Sequence, residues 1–83
     1  MTEPVRSAKQ LGAIIREKRR SRGMSQQKLA DLTGTGQKTI SAIENGHEGA
    51  TLETVFRLLA AMQLEISFSP RDIGIGKSIN DVF

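Results

Sequence analysis

The sequence contains no cysteine, no tryptophan and no tyrosine, and a single histidine, among 83 residues. Without cysteine, disulfide staples and thiolate metal sites are excluded, and a reducing compartment is compatible. Three phenylalanines are the whole aromatic content. A sheet-rich domain draws on aromatic and β-branched residues, so a bundle of short helices built on Leu, Ile and Ala is the better expectation. No apolar run approaches the roughly 20 residues that span a bilayer. The opening Met1-Thr2-Glu3-Pro4-Val5-Arg6 has no apolar stretch of the signal-peptide kind. The expectation is a soluble, unexported, cytoplasmic chain with no membrane partner. Its length supports one domain with an economical core, the kind that gains from a partner subunit.

Chemistry-bearing clusters are equally scarce. His47 stands alone in a loop after Asn45-Gly46, with no second ligand or acid–base partner nearby in sequence. No Ser/His/Asp set and no paired carboxylates suggest a pocket, and a short helical chain leaves little room for one. No enzyme activity, metal or cofactor is expected. Gly74-Ile75-Gly76-Lys77-Ser78 has some features of a phosphate loop. Arg71 stands where that motif needs glycine, however, and only five residues follow Ser78, too few for its helix. A flexible tail over 70–83 is the better reading.

What the chain does have is basic charge, unevenly spread. Residues 1–38 carry a formal charge of +6 and residues 39–83 carry −3. Such asymmetry suits a basic face for a polyanion, although a solvated charged helix gives the same count.

Residues 1–6 form a loose arm. Ser7 is a cap, with Gln10 as its capping-box partner. Leu11, Ile14 and Ile15 then give one apolar face over about 8–22, closed by Gly23. Ser25 caps a second helix, about 26–33, with Leu29 and Ala30 inward. Gly34-Thr35-Gly36 is a tight turn with two glycines able to take positive φ. A third helix, about 37–45, places Ile40 and Ile43 inward and stops at Asn45-Gly46. Thr51 caps a fourth, about 52–63, whose core stripe is Leu52, Val55, Leu58, Leu59 and Met62. Phe56 falls off that stripe, as a peripheral core residue or an apolar contact across a dimer. Leu64, Ile66 and Phe68 then alternate with polar residues up to Pro70, which predicts one strand over 64–69. A lone strand has unpaired backbone groups. The simplest solution is a two-fold dimer sharing an antiparallel ribbon; a partner protein's sheet or disorder are the alternatives.

Met24 to Gly46 carries the most specific signal. Two short helices flank a glycine-containing turn, the helix-turn-helix spacing. In that motif the first helix lies across the DNA backbone and the second enters the major groove. Ser25 and Gln26 can donate to a phosphate at a helix start. Gln37 and Lys38 are long donors suited to adenine and to guanine edges, and Thr39 offers a methyl or hydroxyl group. Ser41 is a shorter contact one turn along. These four are the expected base readers, with Ser25, Gln26 and Asn45 on phosphates.

The segment resembles the Cro/cI-type (XRE) family through Ser25-Gln26, Leu29-Ala30, Gly34, Thr39-Ile40-Ser41 and Ile43-Glu44-Asn45-Gly46. The similarity covers about 11–64. It implies an all-α, lambda-repressor-like bundle of four to five short helices over 7–69, with the C-terminal strand pairing across a homodimer. It also implies that Arg19 and Glu44 form a structural ion pair, so Arg19 counts as scaffold. Gly36 departs from the family's usual Ser or Thr cap. Within the family, a helix followed directly by the strand Leu64–Ser69 is similar to HipB-like antitoxins. That likeness implies a homodimer that represses its own operon through double-stranded operator DNA and binds a HipA-like Ser/Thr kinase toxin. The alternative is a stand-alone phage-type or regulatory repressor with no toxin.

Overall fold

A computed structural model describes residues 4–71. Four helices occupy this span: α1 (Ala8–Ser21), α2 (Gln26–Thr33), α3 (Gln37–Glu44) and α4 (Leu52–Ala61). Their starts are set locally. Ser7, Ser25 and Thr51 hold extended backbone, and each hydroxyl oxygen accepts from an N–H three residues on: Gln10 at 3.1 Å, Lys28 at 3.0 Å and Thr54 at 3.2 Å. Each bond satisfies an amide that the helix leaves unpaired and contributes about 1 kcal/mol. The expected capping box at α1 is only half formed, because Gln10 Oε1 accepts from the Arg6 N–H rather than from that of Ser7.

Three helices end in one pattern. The N–H groups of Met24, His47 and Leu64 reach back to the carbonyls of Arg19, Ala42 and Leu59, at 3.1, 3.0 and 2.8 Å. The residue before each donor is left-handed: Gly23, Gly46 and Gln63, the last with φ +57°. Glycine takes this conformation without penalty, whereas an ordinary residue loses roughly 1–2 kcal/mol. Gln63 thus gives no glycine signal, and α4 stops at Ala61 rather than near residue 63. In the turn between α2 and α3, Gly34 is left-handed at φ +69°, but Gly36 is not, at φ −65°. Thr33 Oγ1 braces that turn, donating to the Leu29 carbonyl at 2.8 Å and accepting from the Thr35 N–H at 3.3 Å.

Ile15, Leu29, Ile40, Leu58 and Met62 are fully buried, with Ala30, Ile43, Val55 and Leu59 around them. Leu11, Met24 and Leu64 pack against this cluster. α2 packs on both α3 and α4, and α1 packs on α3. The α1–α3 approach is close enough that a Cβ on Gly12 would collide with the Ile43 carbonyl oxygen. Leu52 departs from its expected core role, being 75% exposed. It lies at the edge of the α4 stripe, on a first turn that no described residue covers. Phe56 is exposed one turn further on.

Among the described residues there is no strand. Leu64 turns inward, after which Ile66 and Phe68 are exposed. A ladder needs a second backbone alongside, and none of the described residues supplies one to 64–69. The alternation of the sequence is present, but among the described residues it finds no partner strand. Most of the expected tail over 70–83, including Gly74–Ser78, and Met1–Glu3 of the arm lie outside the described residues.

Candidate nucleic-acid interface

The core faces of α2 and α3 determine what these helices show to solvent. Ile40 and Ile43 anchor α3 inward. Lys38 lies opposite these two, while Gln37 and Thr39 flank them on the first turn of α3, which no described residue covers; all three are exposed, and Ser41 is half-buried. Gly36 at the start of α3 makes no side-chain cap, so no bulky group stands in front of Gln37. At the start of α2, Ser25 is exposed and Gln26 half-buried. The Ser25 hydroxyl accepts from Lys28 N–H, which leaves its own proton available for an acceptor. The positive end of the α2 dipole favours an anion there.

Behind this surface, Glu44 is almost completely buried and collects four groups. Arg19 donates through Nε to Oε2 at 2.7 Å and through Nη2 to Oε1 at 3.0 Å. Gln26 Nε2 donates to Oε1 at 3.2 Å, and Arg16 Nε lies 3.5 Å from the same oxygen. Arg19 Nη1 also donates to the Met24 carbonyl at 2.7 Å, which ties the end of α1 to the start of α2. Burial alone would raise the Glu44 carboxyl. The hydrogen bonds from Arg19 and Gln26, the charge of Arg19 and the bond from Arg16 outweigh it and hold the carboxyl below its ordinary range. The hydrogen bond to Glu44, against the cost of burial, raises the Arg19 guanidinium in turn. Arg19 is spent on this bridge, whereas Arg16 remains partly exposed.

Asn45 follows α3 and is exposed, with its side chain engaged at both ends. Oδ1 accepts from Arg16 Nη2 at 2.7 Å, and Nδ2 donates to the Ser41 carbonyl at 2.9 Å. The structure thus brings Gln26, Glu44, Asn45 and Ser41 into one region. Leu64, Ile66 and Phe68 belong to the segment after α4, apart from it in sequence. His47 is exposed in the loop after α3. Among the described residues no group of three His, Cys, Asp or Glu side chains is placed to hold a metal.

Two residues of this region were missed in the sequence. Gly12 permits the close crossing of α1 over α3. Its signal was a glycine inside a helical run, where alanine would be favoured by about 1 kcal/mol. Arg16 lies one turn after Gly12 and three residues before Arg19, on the side of α1 that meets α3. Among so many basic residues, nothing but that spacing distinguished it.

Comparison with known proteins matches this geometry. A helix-turn-helix family model covers residues 15–68. An uncharacterized HTH-type transcriptional regulator of Haemophilus influenzae is 35% identical over 71 residues, spanning 82% of this chain and 72% of that protein. Antitoxin HipB of Escherichia coli is 32% identical over 65 residues, spanning 78% of this chain and 74% of HipB. A chain of the solved HipA-HipB-O2-O3 complex shares the fold with a TM-score of 0.77 at 30% identity, covering 83% of this chain and 97% of that one. The chain therefore belongs to the Cro/cI-type (XRE) helix-turn-helix family of DNA-binding transcription regulators and is similar to the antitoxin HipB.

Proposed function

We propose that this protein is a sequence-specific, homodimeric repressor of its own operon and the HipB-like antitoxin of a HipA-like Ser/Thr kinase, acting in the cytoplasm on the nucleoid. The observation that carries the DNA reading is the exposure of Gln37, Lys38 and Thr39 on a helix anchored by Ile40 and Ile43. α3 enters the major groove, where Gln37 pairs with adenine, Lys38 donates to guanine, and Thr39 and Ser41 make shorter contacts. Ser25 and Gln26 hold the backbone at the start of α2, and Asn45, in the same region, stands on the phosphate side of the interface. The unit is residues 7–69, flanked by the arm 1–6 and the tail 70–83. Leu64, Ile66 and Phe68 pair with the same segment of a second copy, which covers backbone and side chains that a single chain leaves exposed. Two copies place their recognition helices about one helical turn, roughly 34 Å, apart on a pseudo-palindromic site.

Support for the kinase partner is the likeness to HipB, which is held with HipA in a solved complex. Fluorescence anisotropy on the duplex immediately upstream of the gene tests the DNA reading. Lys38→Ala should relax base preference, while Gln26→Ala should weaken all duplexes alike. Unchanged affinity in both variants would exclude this docking. Co-purification from the native host tests the partner: a bound Ser/Thr kinase is expected, and a complex with DNA alone points to a stand-alone repressor.

A further inference from the structure

Resting on that reading, we infer that Arg16 of α1 is a phosphate ligand, forming with Gln26 of α2 a two-pronged clamp on one DNA strand, and that Asn45 acts mainly as the residue that positions Arg16. Two observations carry it. First, Arg16 Nε and Gln26 Nε2 stand 3.5 and 3.2 Å from the same oxygen, Glu44 Oε1. They therefore lie close enough together for one phosphodiester group to meet both. Second, the charges do not cancel. Glu44 faces both Arg19 and Arg16, and Arg19 already binds the carboxylate through two nitrogens. A positive charge is left over, and it resides on Arg16, the arginine of the two that keeps access to solvent.

The donor count agrees with this assignment. A guanidinium carries five N–H donors in a rigid fork. Asn45 takes one through Nη2, and Glu44 faces another at Nε. A side-chain amide offers two N–H donors, and Gln26 gives one to Glu44. Both residues thus retain donors after their internal partners are counted. Asn45 has its carbonyl occupied by Arg16 and one amide hydrogen committed to Ser41. One amide hydrogen remains, as on Gln26, but the Asn45 oxygen is held by the Arg16 guanidinium, and its stronger service is to fix that fork. The close crossing at Gly12 is what brings Arg16 to this end of α3.

The test is duplex binding across a salt series, with the upstream duplex and a scrambled duplex of equal length as probes. Arg16→Gln should weaken binding to both by about tenfold, the worth of one charge-assisted hydrogen bond. It should also lower the slope of log affinity against log salt by about 0.9, one phosphate contact fewer. Arg16→Lys should keep the wild-type slope. Asn45→Ala should lose less affinity than Arg16→Gln and add little to it in the double variant, because it works through the same contact. Circular dichroism confirms that each variant is folded; if Arg16→Gln is not, the slope of Arg16→Met replaces it. A folded charge-neutral variant with wild-type slope overturns the clamp alone. Failure of the wild type to bind either duplex overturns the repressor reading and the clamp with it.

Discussion

Glu44 shows how one buried carboxylate can organise a surface. It is an ion in a nearly dry site, tolerable only because Arg19 meets it with a fork of two nitrogens. Removing one partner strands the other, so Arg19→Met should lose about 3 kcal/mol or more of folding stability by urea titration. Arg19→Met combined with Glu44→Leu should recover much of that loss, since an apolar pair leaves no charge buried. The pH dependence has a definite sign. Glu44 titrates in the ordinary carboxylate range in an unfolded chain and lower in the fold, where its hydrogen bonds and the charge of Arg19 outweigh the cost of burial. Its contribution is complete above the unfolded value and is lost as pH falls through the folded one. The thermal midpoint should therefore drop on acidification below about pH 4. In Glu44→Gln that fall should be shallower, from a lower starting stability at neutral pH. A parallel fall in both proteins would show that other carboxylates dominate acid unfolding.

At the scale of elements, local chemistry and tertiary packing can be told apart. Gly12 sits inside α1, where helix propensity alone favours alanine by about 1 kcal/mol. The Ile43 carbonyl occupies the space a methyl group would need. Gly12→Ala should therefore destabilise by about 2 kcal/mol, opposite to the propensity effect, and equilibrium unfolding decides the sign. Gln63→Gly should act the other way, stabilising by up to about 1 kcal/mol through relief of a left-handed glutamine. It loses only an exposed hydrogen bond, from Arg22 Nη2 at 2.9 Å. These two positions also mark what was legible in the sequence. Ser7, Ser25 and Thr51 write their helix starts in side-chain chemistry, and Gly23, Gly34 and Gly46 write their stops in backbone freedom. Gln63 stops α4 with neither signal, so the helix read two residues too long. Leu52 fits the apolar period, yet periodicity records which way a side chain faces and not whether anything lies opposite. Gln37, Lys38, Thr39 and Ser41 stood out because long and short polar donors open the second helix of a helix-turn-helix spacing. The role of Arg16 depends on a crossing between helices that no local pattern encodes.

For the whole molecule, four of the six large apolar residues exposed among the described residues lie on α4 and after it, Leu52, Phe56, Ile66 and Phe68, while Val5 and Leu32 stand apart. Isolated apolar residues at a surface need no explanation, but this series follows directly on the core-forming helix. A dimer built on 64–69 makes stability depend on concentration. Sedimentation velocity should show a dimer at micromolar concentration, and Ile66→Asp together with Phe68→Asp should give a folded monomer with weakened operator binding. A monomeric wild type that still binds the full operator tightly would contradict the shared ribbon. The claim on which most depends is that α3 reads bases through Gln37 and Lys38. It is tested most directly by measuring the affinity of wild type and of the Gln37→Ala and Lys38→Ala variants for the upstream duplex with each base pair substituted in turn. Each variant should lose roughly 1–3 kcal/mol of discrimination at one base pair per half-site and keep it elsewhere. Discrimination identical to wild type at every position in both variants would mean that the bases are read by something other than the start of α3.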